Sequence, residues 1–308
     1  MTTNIVFMGS PEFAVPTFLA LVEKYHVVGV VTQPDRPAGR GRKLTACPIK
    51  IQADQFEIPT IQPNRLKDPG VFDQLVAWKP DVIVVAAFGQ ILRQNVLDLP
   101  KYGCINVHAS LLPRWRGAAP IQAAILNGDK MTGVSIMKLD AGIDTGPVLF
   151  SQELPIMPDD TAGILSDKLA RLGAEVLPVV MDGYLKGLYP PVSQDNEKST
   201  YAAMIEKNDG LLDFTKPANH LERLVRAYQP WPGAFFLINS EVYKIQKSHV
   251  EPGGQYLPGQ RVIFGKLPAV GTVDGALVIE TLQPPGKRPM PGDEFLRGFR
   301  NWDERSQL

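Results

Sequence analysis

Along the first two-thirds of the chain, apolar residues gather into short uninterrupted runs that alternate with segments of helical period. Residues 4–8, 27–32, 82–87, 104–108, 132–138 and 148–154 read as strands, and residues 14–23, 69–77, 120–127 and 161–185 as helices. The run Val82-Ile83-Val84-Val85-Ala86-Ala87 has no polar position. A strand covered on both faces reads this way, whereas a strand with one wet face alternates. Such strands alternating with helices predict an α/β domain on a doubly wound, mainly parallel, Rossmann-like sheet. The pattern changes after residue 188. Residues 189–200 (Y-P-P-V-S-Q-D-N-E-K-S-T) are rich in proline and polar side chains and read as a linker. One helix over 219–227 follows, then short β runs over 234–238, 242–248, 260–264 and 276–282, divided by Gly and Pro. That spacing predicts a small β-barrel or sandwich. The expected division is a first domain over 1–188, a linker over 189–205 and a second domain over 206–308.

Length agrees with this division, because 308 residues exceed the usual size of a single domain. Lys plus Arg and Asp plus Glu each total 32, so no global basic field exists, and contact with a polyanion must come from a local patch. Residues 33–44 (Q-P-D-R-P-A-G-R-G-R-K-L) hold one, with Arg36, Arg40, Arg42 and Lys43 against a single Asp35. Arginines spaced by glycine suit phosphate contacts that form on binding. From Glu206 onward thirteen Lys and Arg meet twelve Asp and Glu, so the second domain is not a polyanion binder by net charge. Its local candidates are Lys244 and Lys247 on one strand and Lys287-Arg288 in a turn. The two cysteines, Cys47 and Cys104, form no CxxC pair, which argues against a disulfide framework or zinc site and for a reducing cytoplasm. No metal is expected. The opening residues carry no cationic segment or signal core, and the aliphatic stretch 82–88 is too short to span a bilayer. A cytoplasmic protein without membrane contact is expected.

In an open α/β sheet, ligands sit outside the carboxyl ends of the strands, so the strand exits are where chemistry belongs. The first exit, Gly9-Ser10-Pro11-Glu12, lacks the second glycine of a dinucleotide fingerprint and reads as a turn into a helix, which leaves a nicotinamide enzyme a weak hypothesis. The exit after 104–107 is richer. Asn106 and His108 are alternate residues on one strand and point to the same side. A lone histidine at a strand end is usually a hydrogen-bonded structural residue. An adjacent asparagine changes the weighting, because it donates without titrating and suits an oxyanion. The following loop, 109–120, is rich in Leu, Pro, Arg and Trp and suggests a binding surface. A second loop, 139–147, carries Asp140 and Asp144 among glycines. Asp140 reads equally well as a turn cap, while Asp144 has the freedom to reach a histidine at a neighbouring exit.

The string Asn106-Val107-His108-Ala109-Ser110-Leu111-Leu112-Pro113, followed by Asp140-x-Gly142-x-Asp144-x-Gly146, resembles the signature of the 10-formyltetrahydrofolate-dependent formyltransferases, and the likeness extends over the whole chain. The resemblance implies that Asn106, His108 and Asp144 are catalytic and that Ser110, Leu111, Leu112 and Pro113 contact the folate. It also implies that residues 88–92, with Gln90 and Leu92, line the pterin pocket. It makes 10-formyltetrahydrofolate the co-substrate, and the second domain an oligonucleotide-binding-type barrel. The arginine loop resembles the family's loop for the acceptor end of initiator Met-tRNA, with Arg40, Arg42 and Lys43 on the RNA and Lys287 as a further contact. A monomer is expected. Whether His108, Asp144 or a water is the base stays open. The rival acceptor is an amino-sugar nucleotide, and a folate- or RNA-binding protein without catalysis is the rival from another class.

Overall fold

The continuous apolar runs pair edge to edge, as their two-sided burial requires. The computed structural model describes residues 3–38, 43–299 and 301–303. The chain forms two compact units: Met1–Pro120 with Met131–Pro155 and Ser166–Ala202, and Ile121–Lys130 with Ile156–Leu165 and Ala203–Leu308. The first unit holds a seven-stranded sheet of β1 (Asn4–Gly9), β2 (His26–Val31), β3 (Thr60–Ile61), β4 (Val82–Ala86), β5 (Cys104–His108), β6 (Met131–Lys138) and β7 (Val148–Pro155). Their spatial order is β7-β6-β5-β4-β1-β2-β3. Strands β1 to β5 pair in parallel, while β6 runs antiparallel to both β5 and β7. The sheet is thus mainly parallel, with one reversed strand beside the strand that carries Asn106 and His108.

Helices α1 (Val15–Lys24), α2 (Pro48–Gln55), α3 (Val71–Trp78), α4 (Gln94–Leu97), α5 (Pro120–Asn127) and α6 (Ala162–Leu185) follow the strands. Every residue of β4 is buried, as its unbroken apolar run predicts. Its layer packs Val6, Met8, Val31, Leu75, Ile83, Val85 and Phe88 together. Gly173 of α6 is needed for close packing, since a Cβ there would lie 2.8 Å from a methyl of Val107 on β5. Short elements escape the periodicity: α2 spans two helical turns, and α4 spans one.

In the second unit, β8 (Ala234–Ile238), β9 (Glu241–Pro252), β10 (Arg261–Phe264), β11 (Leu267–Gly271) and β12 (Gly275–Gln283) form an antiparallel sheet in the order β8-β9-β12-β11-β10. A short β13 (Met290–Pro291) adds to β12, and α7 (Ala218–Ala227) and α8 (Gly292–Gly298) complete the unit. Strand β11, L-P-A-V-G, was hidden by its Pro and Gly, which are depleted from strands and mark turns. Trp302 is fully buried, its indole N–H donating to the Val262 carbonyl at 2.8 Å. Its ring lies 5.6 Å from that of Phe295 and 6.1 Å from that of Phe236.

Candidate active site

Strand β5 presents Asn106 and His108 on one side of the sheet, and Cys104 shares that alternation. Asn106 is 9% exposed and His108 5%. The Asn106 amide has no protein hydrogen-bond partner among the described residues. A buried amide is ordinarily satisfied, so an unengaged one at a strand exit is available to a ligand.

His108 is held at one ring nitrogen and faces Asp144 with the other. Nε2 lies 3.0 Å from the Trp115 carbonyl oxygen, and Nδ1 lies 3.7 Å from Oδ2 of Asp144. A carbonyl only accepts, so Nε2 carries a proton and the neutral ring keeps its lone pair on Nδ1, the nitrogen that faces the carboxylate. Oδ2 of Asp144 accepts the Gly117 N–H at 2.9 Å. Asp144 itself sits at φ 52°, a left-handed conformation that few residues other than glycine adopt.

The loop after β5 is folded against its own backbone. Ser110 is fully buried, and its hydroxyl donates to the Arg114 carbonyl at 2.6 Å, so it closes the loop from within. The Ser135 hydroxyl of β6 donates to the Ser110 carbonyl at 2.7 Å and accepts the Leu112 N–H at 3.1 Å. Leu111, Leu112 and Pro113 remain half-buried on the loop, and the Leu112–Pro113 bond is cis. Gly133 of β6 leaves room for Leu111, whose methyl would lie 2.6 Å from a Cβ there. Gly117 is required twice over: its φ is 111°, and a Cβ would lie 2.5 Å from the Ala202 carbonyl.

At the neighbouring exit after β4, Ala87 and Gly89 both have positive φ, at 47° and 75°. Gln90 is half-buried and its carboxamide oxygen accepts the Leu66 N–H at 2.9 Å. Leu92 is 7% exposed and packs in the core with Leu66 and Val96, while Ile91 between them is 74% exposed. Arg40 and Arg42 lie outside the described residues, and Lys43 begins a short strand, Lys43–Thr45, that pairs with Arg36–Ala38. Lys287 is exposed in the turn between β12 and β13. Lys247, a further basic candidate, is already paired with Glu280 at 2.7 Å.

The segment that composition marks as a linker holds side chains that reach this site. Val192 bridges Val148, Thr200 Oγ1 accepts the Trp115 N–H at 2.8 Å, and Tyr201–Ala202 pairs with Arg116–Gly117. Gln194 donates its amide to the carbonyls of Asp144 and Gly146 at 2.9 and 2.6 Å. Sequence reasoning passed over Gln194 and Thr200 for lack of any local signal, and took Arg116 only as part of a surface loop. Its 1% exposure reports otherwise. Among the described residues, no three His, Cys, Asp or Glu are grouped to hold a metal ion, and no helix is long and apolar enough to cross a membrane.

Comparison with known proteins accounts for nearly the whole chain. A family model described as formyl transferase matches residues 3–181, and one described as formyl transferase, C-terminal domain, matches residues 204–300. A methionyl-tRNA formyltransferase of Myxococcus xanthus is 48% identical over 298 residues, covering 96% of this chain and 95% of its own. One from a Roseiflexus species is 45% identical over 304 residues, covering 97% and 94%. Among solved structures, the methionyl-tRNA formyltransferase of Clostridium thermocellum matches with a TM-score of 0.56 at 14% identity, covering 90% of this chain and 99% of that one. WlaRD, a sugar 3N-formyl transferase crystallised with dTDP and 5-N-formyl-THF, matches with a TM-score of 0.68 at 21% identity, covering 94% and 100%. At such identities the two structures speak to the fold alone. The chain belongs to the formyl transferase family, in both its domains, and within it to the methionyl-tRNA formyltransferases.

Proposed function

We propose that the protein transfers a formyl group from 10-formyltetrahydrofolate to the α-amino group of methionyl-initiator-tRNA, giving N-formylmethionyl-tRNA for translation initiation. The observation that carries this reading is the meeting, at one strand exit, of an unengaged Asn106 amide with a His108 whose basic nitrogen faces Asp144. The folate supplies a one-carbon amide whose oxygen takes on negative charge as the amine adds. The new carbon–nitrogen bond forms at the amine, the bond to the folate nitrogen breaks, and one proton passes from the first nitrogen to the second.

The residues divide this work. The Asn106 amide donates to the oxygen that gains charge, a contribution of about 3 kcal/mol where such donors have been removed. An α-amino group has a pKa near 8, so a fraction of the acceptor is protonated at neutral pH and a base is needed. Nδ1 of His108 is free to take that proton, and the Asp144 carboxylate stabilises the resulting imidazolium. The Leu111 to Pro113 loop and the exit at 88–92 flank the strand end where the folate ring would rest. Gln90 contributes there mainly by holding Leu66, and Leu92 by anchoring the loop in the core.

The working division is a catalytic domain over 1–188, a connecting segment over 189–205 and a tRNA-binding domain over 206–308, acting as a cytoplasmic monomer. Arg40, Arg42 and Lys43, with Lys287, are the assigned tRNA contacts. The direct experiment is incubation with 10-formyltetrahydrofolate and charged initiator Met-tRNA, read as N-formylmethionine after hydrolysis. Absence of product would overturn the proposal, as would faster formylation of an amino-sugar nucleotide. Arg40→Ala and Arg42→Ala should each raise KM for Met-tRNA about tenfold or more. Unchanged values would remove the loop from RNA recognition.

A further inference from the structure

We infer that Gln194 is a positioning residue for formyl transfer, holding the Asp144 backbone in the left-handed conformation that turns its carboxylate toward His108. The inference rests on the formyl-transfer reading above. The Gln194 carboxamide is fully engaged. Its nitrogen donates to the carbonyls of Asp144 and Gly146 at 2.9 and 2.6 Å, and its oxygen accepts from Nε and Nη2 of Arg116 at 3.0 and 2.9 Å. A guanidinium has no acceptor, so the amide cannot be flipped, and both donors must face the 144–146 loop.

Arg116 is 1% exposed, and its further contact is Oδ1 of Asn196 at 2.8 Å. Among the described residues it meets no carboxylate. Burying a cation against neutral amide oxygens is costly, and removal of its acceptors would leave the charge unsatisfied. The arrangement gains its purpose from what it holds. Asp144 has φ 52°, and Gly146 lies so close to the Lys138 carbonyl that no side chain fits. Both carbonyls of this tight turn converge on one amide. The carboxylate that results is received by the Gly117 N–H at 2.9 Å, on the residue after Arg116. Arg116 and Gln194 therefore tie the loop after β5 to the loop after β6, and Asp144 and His108 come from those two loops' strand exits.

The test separates donation from packing. In Gln194→Glu the carboxylate still accepts from Arg116 but cannot donate to the two carbonyls. The expected result is a kcat for Met-tRNA formylation lowered ten- to a hundredfold, KM for both substrates within threefold of wild type, and an unfolding midpoint within a few degrees. In an Asp144→Ala background, assayed by single turnover, Gln194→Glu lowers the rate less than twofold further, because a residue acting through Asp144 has nothing left to position. A wild-type kcat in Gln194→Glu, or an equal loss in both backgrounds, overturns the inference. If Gln194→Glu does not fold, the double variant Arg116→Met/Gln194→Met, which removes the buried charge together with its acceptor and leaves no donor to the loop, is read in the same two backgrounds. Wild-type protein that formylates no Met-tRNA refutes the functional reading instead.

Discussion

Two buried clusters in this molecule are built on opposite terms. In the second unit, Trp302, Phe236, Tyr243 and Phe295 pack ring against ring, and the buried indole N–H is satisfied by a backbone carbonyl. At the end of β5, an amide, an imidazole and a guanidinium lie below a tenth exposure, and the two loops around them contain non-glycine residues at positive φ, Trp115 at 58° and Asp144 at 52°. Aromatic packing lowers the free energy of the fold directly. Buried polar groups with strained backbone cost free energy, and they persist where surrounding structure over-determines them and function uses them. The first cluster serves stability, and under the proposed function the second serves chemistry.

Substitutions can break that contrast. The largest effect expected is from Trp302→Ala, which removes a fully buried side chain and lowers the unfolding free energy by about 3–5 kcal/mol. Equilibrium urea unfolding measures it, and a loss below 1 kcal/mol would deny the cluster its structural role. Asn106→Ala should show the reverse, with turnover falling about a hundredfold or more (~3 kcal/mol) and the unfolding midpoint unmoved, because the amide bonds no protein group among the described residues. His108→Ala loses turnover on the same scale, with little change in folate affinity. Near-normal kcat in either variant would take that residue out of the mechanism.

A polar cluster away from the site sharpens the comparison. Asp182 on α6 accepts from Tyr25 and pairs with Lys24 at 2.6 Å, and these hydrogen bonds hold its carboxyl below the usual range. A lowered folded-state pKa gives stability that is complete above the unfolded value near pH 4 and fades as pH falls through the folded one. Asp182 is more than a third exposed, so Asp182→Asn should cost less than about 1 kcal/mol at pH 7, a difference that shrinks as pH falls below about 4, with turnover unaltered. A pH-independent difference would refute the assignment. The smallest effect concerns Cys104, which shares its strand face with Asn106 and His108. Burial pushes its thiol up to about 12. Iodoacetamide at pH 8 should therefore label Cys47, which is half-buried, and spare Cys104, as mass spectrometry would report.

Much of the fold was legible because its strands are covered on both faces. Unbroken apolar runs identify β1, β2 and β4 without knowledge of their neighbours. The elements that stayed hidden are short, as α4 is, or carry Pro and Gly, as β11 does, so their burial leaves no periodic trace. The reversed direction of β6 was equally silent, since a buried strand reads alike in either sense.

The same limit governs the site. Sequence by itself singled out the candidate residues and the family: Asn106 and His108 share a side because alternate residues on any strand do, and the continuous motif through Pro113 with the 140–146 loop marks the family. Tertiary structure decided how they are held. Gly117 meets Asp144 across 27 residues, Gln194 meets it across 50, and Thr200 meets Trp115 across 85. Period and spacing report which way a side chain faces on its own element. They carry no information about which distant loop comes to lie beside it, because sheet order and chain return set that. The candidate catalytic groups were therefore readable in the chain, while the contacts of His108, the turn at Asp144 and the side chains that brace it exist only in the folded protein.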